Sequence, residues 1–235
     1  MSYDRYQLIF RYIRIFPPFE TFDCSVQRMI SHVSEWSDLI QAISTELFLP
    51  GLSIAVDECM IRFTGRSKAK VTIPRKPTPT GLKIWVAAQK GYFLRWRFHI
   101  PGSSRPHGIA AKRRADKRDL AETQAVVLDL VLQLPIATYH VFFDNLFTTP
   151  QLLLALRKRG TAATGTARLN SGLYAPFVVA KTADNKGQLK NWQFNELRTV
   201  PTVDDLVREP EDAFLCVFLT NSSLYFLGQS DRVEG

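Results

Sequence analysis

The chain is 235 residues long and 46% hydrophobic, with 30 Lys and Arg against 22 Asp and Glu and a formal net charge of +8. So much apolar residue can bury a sizeable core, which excludes global disorder, and the length suits one large domain or one domain with an insertion. No apolar run reaches the length of a membrane span, and MSYDRYQLIF at the start lacks the charged-then-apolar layout of a signal peptide.

The charge is concentrated. Sixteen of the Lys and Arg residues lie between Arg62 and Arg118, where Asp116 is the only acid. A block this one-sided favours a polyanionic partner over a merely solvated basic face. Cys24, Cys59 and Cys216 are far apart and lack Cys-x-x-Cys spacing. They read as buried thiols of a reducing compartment, with no zinc site and no disulfide framework.

Residues 1–50 read as a helical segment. Leu8, Ile9, Tyr12, Ile13 and Phe16 recur at helical spacing until Pro17-Pro18 ends the pattern. A second helix starts near Ser25 and carries Val26, Met29, Ile30 and Val33; a third covers Leu39 to Leu47. Pro50-Gly51 then turns the chain into a first strand, Leu52 to Val56, which delivers Asp57 and Glu58 at its C-terminal end. The basic segment that follows (Arg62, Arg66, Lys68, Lys70, Arg75, Lys76) is broken by Gly65, Pro74 and Pro77. A second strand runs from Leu82 to Ala88. Lys90-Gly91 is a tight hairpin turn into a third strand, Tyr92 to Ile100. Pro101 to Ala111 reads as loop, and Lys112 to Arg118 is a basic cluster resembling a nuclear localisation signal, which points to the nucleus.

From Asp119 the pattern turns helical, with Leu120, Val127, Leu130, Val131 and Leu134 on one face and Pro135 as the stop. Tyr139 to Asn145 is a short apolar strand that again ends in a carboxylate, Asp144. Thr149-Pro150 opens a helix carrying Leu152, Leu153 and Leu156, and Gly160 stops it. Thr161 to Arg168 is a further strand. Residues 169–213 show no clear periodicity and read as an irregular, insertion-like segment. Residues 214–235 close the chain with a hairpin around Asn221-Ser222-Ser223. This order specifies an α/β fold: a ribonuclease-H-like mixed sheet over residues 51–168, built from a three-strand antiparallel meander plus parallel strands joined by helices.

In such an order Asp57 and Asp144 lie on neighbouring parallel strands, so both emerge at one sheet edge, where ligands of open α/β sheets gather. Carboxylates there suit a hard cation, Mg²⁺ or Mn²⁺, used in phosphoryl transfer, without any His or Cys ligand. The plainer alternative is that Asp57 caps a turn after a strand; the neighbouring basic block weighs against it. Trp96, between Arg95 and Arg97, reads as core or interface with some capacity for nucleic-acid contact.

VDECMIRFTGR, then IPRKPTPTGLKIWV, then FFDNLFTTPQLLLALRKRGTAATGTAR together resemble the DDE domain of piggyBac-type transposases. The matching pieces are Val56-Asp57-Glu58, Phe63-Thr64-Gly65-Arg66, Lys76-Pro77, Gly81-Leu82-Lys83 and Asp144-Asn145-Leu146-Phe147-Thr148, in the family's order over roughly residues 1–170. The resemblance implies DNA transposition by a ribonuclease-H-like core in which aspartates hold Mg²⁺ (or Mn²⁺). Asp57 and Asp144 match the first two catalytic, metal-holding aspartates, and Arg66, Lys76 and Lys83 flank Asp57 in the matching motifs as nucleic-acid-binding residues. It implies DNA as partner, assembly as a homodimer or with a full-length transposase, and neither a membrane nor a small-molecule substrate.

The family's third aspartate lies past the closing hairpin in a Gly-Val-Asp-like context, and the chain is expected to stop short of it. Asp204, Asp205, Asp212, Asp231 and Glu234 are the late carboxylates, and none sits in that motif. The family's cysteine-rich zinc module is also outside this sequence. The expectation is a Mg-dependent strand-cleavage site that is incomplete in this chain. The alternative, a non-enzymatic nuclear DNA-binding or interaction protein derived from a transposase, stays open.

Overall fold

The computed structural model describes residues 1–13, 26–101, 120–171, 175–186, 197–201, 214–220 and 223–228. Helix α1 (Tyr3–Tyr12) starts at Ser2, whose hydroxyl accepts the Arg5 N–H, and buries none of its residues. Helix α2 (Val26–Leu47) is one continuous helix of 22 residues, where the sequence suggested two. No Pro or Gly interrupts Ser34 to Asp38, so nothing breaks the backbone ladder there. The apolar periodicity misled because the packed face of α2 beyond Ile30 is polar. Ser37, Gln41, Ser44 and Thr45 are buried, while Trp36 and Leu39 stay 49% and 54% exposed.

The strands are β1 (Ser53–Arg62), β2 (Lys70–Thr72), β3 (Thr80–Gln89) and β4 (Tyr92–Phe98), followed by helix α3 (Glu122–Leu132). Then come β5 (His140–Phe143), α4 (Pro150–Arg157), β6 (Ala162–Thr166), α5 (Ala175–Asn185), β7 (Leu197–Pro201), β8 (Phe214–Thr220) and β9 (Ser223–Gly228). They form one mixed sheet in the order β2-β3-β1-β5-β6-β9-β8-β7, with β4 also on the outer edge of β3. The β1–β3 and β3–β4 pairs are antiparallel, and β1–β5 and β5–β6 are parallel, each entered through a helix. This is the meander-plus-parallel order expected from the sequence. Lys90 and Gly91 both take positive φ (50° and 79°), the backbone of a two-residue turn between twisted strands.

Three expectations change. The first strand does not stop at Val56 but continues to Arg62, because β3 pairs with it from Ala55 to Arg62. A short extra strand, β2, lies in the basic segment and pairs with the start of β3. Residues 169–213, expected to be irregular, contain α5 and β7. The closing hairpin is present as β8 and β9, and β9 joins β6 antiparallel. Lys112 to Arg118 and the carboxylates Asp204, Asp205, Asp212, Asp231 and Glu234 lie outside the described residues.

One face of the sheet carries the core. Ile54, Val56, Trp85, Ala87, Val141 and Phe143 pack under Val127, Leu130, Leu152 and Leu156 of α3 and α4. Within it Arg97 Nε donates to Asp129 at 2.8 Å, and Asp129 is 1% exposed. Arg95 is likewise tied inward, donating to the Gln133 carbonyl and to Thr45 Oγ1, both at 3.0 Å. Part of the basic block counted from sequence is therefore structural. Trp96 Nε1 donates to Ser37, and its backbone N–H to Gln41, which fastens α2 to β4. Cys59, expected to be buried, is a half-buried free thiol.

Candidate active site

The parallel β1–β5 register ends with Val56 opposite Phe143. Asp57 and Asp144 are the next residues on each strand. Asp57 is thus mid-strand with respect to β3, where it opposes Val86, yet sits at the end of its pairing with β5. Both aspartates are exposed.

Local chemistry fixes each one. Asp57 Oδ1 accepts the Glu58 N–H at 2.7 Å. Asp144 Oδ1 accepts the Leu146 N–H at 2.8 Å, an Asx turn that ends β5 and starts the loop into α4. The Asp144 carbonyl accepts from Thr148 Oγ1, also at 2.8 Å. Phe147 anchors this loop: it is fully buried and meets the Trp85 ring edge-on, centroids 5.6 Å apart. Gly165 of β6 makes the arrangement possible, since a Cβ there would lie 2.3 Å from Thr148 Oγ1 and 2.7 Å from the Phe143 ring.

The electrostatics mark the edge as a place short of positive charge. Lost hydration pushes the Asp144 carboxyl above its usual range, and the nearby Asp57 and Glu58 carboxylates push it further. The Leu146 N–H and Arg168 act the other way. Arg168 is held there by Asn145, whose Oδ1 accepts from its Nε at 2.9 Å.

Glu58 follows Asp57 on the strand and so points to the opposite face, opposite Trp85. Two lysines grip it: Lys76 Nζ on Oε1 at 3.0 Å and Lys83 Nζ on Oε2. Lys83 also lies over the Trp85 ring, 3.9 Å from its centroid. Burial disfavours the Glu58 charge, but the two lysines outweigh it and hold its carboxyl below the ordinary value of 4.5.

The sequence-derived residues are therefore placed as follows. Asp57 and Asp144 come together at one edge. Lys76 and Lys83 converge nearby but on Glu58, and Arg66 is exposed on the loop after β1. Asp57, Glu58 and Lys76 line one cleft. Sequence reasoning did not single out Arg168, although it ends the quoted motif run, nor the part Glu58 plays in clamping two lysines. Two hard carboxylates with excess negative charge between them fit a divalent cation by the chemistry of the donor set. Among the described residues no group of three His, Cys, Asp or Glu is assembled for a metal.

A mixed sheet whose meander leads into parallel strands, with an acidic pair at the end of the parallel register, defines a chain of the DDE, ribonuclease-H-like class. The comparisons agree with that class. The family described as Transposase IS4 matches residues 1–219, and the chain belongs to this transposase family, as a member of piggyBac type. Human PiggyBac transposable element-derived protein 2 is 30% identical over 112 residues, covering 47% of this chain and 18% of that protein. A solved piggyBac transposase synaptic complex with hairpin DNA is similar in fold, with a TM-score of 0.65 at 19% identity. That likeness covers 100% of this chain and 45% of the solved one, so the chain spans less than half the length of either relative.

Proposed function

We propose that this chain carries a DNA-binding surface and part of a divalent-metal site for DNA strand cleavage and transfer. The observation that carries the reading is the side-by-side exit of Asp57 and Asp144 at the end of the β1–β5 register. Asp57 and Asp144 would hold Mg²⁺ or Mn²⁺. The bound ion would supply charge neutralisation at phosphate oxygens and activation of the attacking oxygen. Arg66 and Arg168, both exposed and on the strand-end side of the sheet, are the side chains best placed for DNA phosphates. Lys76 and Lys83 shape the site through Glu58. The remaining carboxylate of a three-acid site is not among the described residues, so this reading is of a partial site. DNA as partner and the nucleus as location follow from the same reading.

A second reading, DNA binding without cleavage, rests on the basic block between Arg62 and Arg118 apart from Lys83, Arg95 and Arg97, which are committed within the fold. One experiment separates the two. Purified protein is incubated with supercoiled plasmid in Mn²⁺, with Asp57→Ala alongside. Nicking that disappears in the variant supports the metal site. Salt-sensitive DNA binding with no nicking in either protein supports the second reading, and no DNA binding at low salt counts against both.

A further inference from the structure

We propose that Lys76, held by Glu58, is a tethered counter-ion of the Asp57–Asp144 pair and competes with a divalent cation for it. The inference rests on the cation-binding reading of that pair and adds a built-in regulator of its affinity.

The geometry points to Lys76 rather than to the other nearby cations. Lys83 is pinned between Glu58 and the Trp85 ring, with a side chain only 12% exposed. Arg168 is fixed by Asn145. Lys76 is different: its side chain is 35% exposed, with Glu58 at 3.0 Å as its salt-bridge partner. It rides on the loop between β2 and β3, closed at its base by the Ile73 N–H donating to the Pro79 carbonyl at 2.7 Å. Arg75, just before it, takes a left-handed backbone with φ of 73° and reverses the chain beside the sheet edge. The loop therefore delivers the ammonium group into the cleft that Asp57 and Glu58 line.

Its surroundings favour its charge. The hydrogen bond to Glu58 raises the Lys76 pKa most, against a smaller loss of hydration, and Glu58, Asp57 and Asp144 add to the rise through their charge. An ammonium that senses both aspartates offsets the repulsion between them when no cation is bound, and opposes a cation that enters. Glu58 sets how close it stays: the carboxylate on the far face draws Lys76 back from the pair. The short salt bridge thus decides whether Lys76 shields the aspartates or yields them.

The test measures Mn²⁺ affinity by electron paramagnetic resonance on the full chain, at low salt so that screening does not mask the effect. The proteins are the wild type, Asp57→Ala, Lys76→Gln, Lys76→Arg, Glu58→Gln and the double variant Glu58→Gln/Lys76→Gln. Asp57→Ala is expected to abolish tight Mn²⁺ binding. Lys76→Gln is expected to tighten it about three- to tenfold, the scale of one charge facing a divalent ion across a partly solvated gap. Lys76→Arg keeps the charge and should stay within about twofold of wild type on the same argument. Glu58→Gln should weaken binding, and most of that weakening should vanish when Lys76 is also replaced. Binding that depends on Asp57 but is unchanged in Lys76→Gln overturns the counter-ion and leaves the metal site standing. A Glu58→Gln effect that persists in the double variant also overturns it, because Glu58 would then act by its own charge. Mn²⁺ binding that does not depend on Asp57 overturns the site reading, and the counter-ion with it.

Discussion

Asp57 and Asp144 each follow the last residue of the parallel β1–β5 pairing, Val56 on β1 and Phe143 on β5, so a single register match places both carboxylates at one edge. Side chains alternate along a strand, and a slip of one residue in that pairing would send one of the two to the wrong position. The acidic site is therefore as firmly set as the packing of Ile54, Val56, Val141 and Phe143 beneath it. Stability and site geometry are the same question here.

Gly165 tests that coupling. Gly165→Ala places a methyl group 2.3 Å from Thr148 Oγ1 and against the Phe143 ring. The expected cost is about 1–3 kcal/mol by denaturant unfolding, from overpacking. Because Thr148 also holds the Asp144 carbonyl, Mn²⁺ affinity should fall in the same variant. Lost stability with unchanged Mn²⁺ affinity would separate the two.

Asp129 is the buried partner of Arg97. Asp129→Ala leaves a guanidinium half-buried without its carboxylate, and the expected loss is about 3–5 kcal/mol in chemical denaturation. A loss below about 1 kcal/mol, the scale of an exposed pair, would mean water replaces the carboxylate.

For DNA, exposed Arg66 and clamped Lys83 should behave differently. Arg66→Ala is expected to weaken binding to any sequence and lower the salt slope by about one. Lys83→Ala should leave the slope unchanged and lower the melting temperature, since Lys83 is committed to Glu58 and Trp85. Fluorescence anisotropy across a salt series checks both. Equal slopes for Arg66→Ala and wild type would remove Arg66 from the interface.

The pH dependence follows from Glu58. Its carboxyl is held below the ordinary value of 4.5 in the folded protein. Its contribution to stability is therefore present above 4.5 and lost as pH falls through the lowered folded value. Glu58→Gln should be less stable than wild type at neutral pH, and the gap should close on acidification. Asp144 runs the opposite way. Its carboxyl is raised, so its charge disfavours folding above the folded value, and protonation on acidification relieves that strain. Melting curves of Glu58→Gln and Asp144→Asn against wild type across the acid range resolve the two; parallel curves for Glu58→Gln would exclude a role for its charge.

Helix α2 gives a reversed substitution pattern. Gln41→Ala removes the acceptor of the Trp96 N–H and the donor to Ser37, with an expected loss of about 1–3 kcal/mol for a buried group left unpaired. Leu39→Ser, on the exposed side, should stay within about 0.5 kcal/mol. The opposite ranking in thermal melts would mean that the apolar stripe is covered in solution.

These cases show what the sequence could and could not disclose. Apart from β2, the order of elements from Leu52 to Arg168 was readable because the parallel strands are short apolar runs, the two-residue turn at Lys90-Gly91 has its own chemistry, and Thr149-Pro150 marks a helix start. Asp57 and Asp144 were readable because each ends such a run. The single helix α2 was not, since its buried side is built from Ser, Gln and Thr that hydrogen-bond to β4, and no periodicity of apolar residues reports that. Glu58 was not, because its role depends on two lysines that are distant in sequence and converge only when β3 pairs with β1. Arg95 and Arg97 looked like part of a DNA-facing block because charge counts carry no information about which side of a strand a residue occupies.

The position of β9 bears on how the chain is made. Residue 163 of β6 waits for residue 228 of β9, so the strand that completes the middle of the sheet leaves the ribosome well after the one it joins. At about 5–20 residues per second, the outer edge of β6 stays unpaired for several seconds of synthesis, a bare row of N–H and C=O groups open to any other strand. A product cut off before residue 223 would keep that edge for its lifetime. Yield and solubility should therefore depend on the speed at which the stretch between β6 and β9 is translated and on the help of chaperones that shield strand edges.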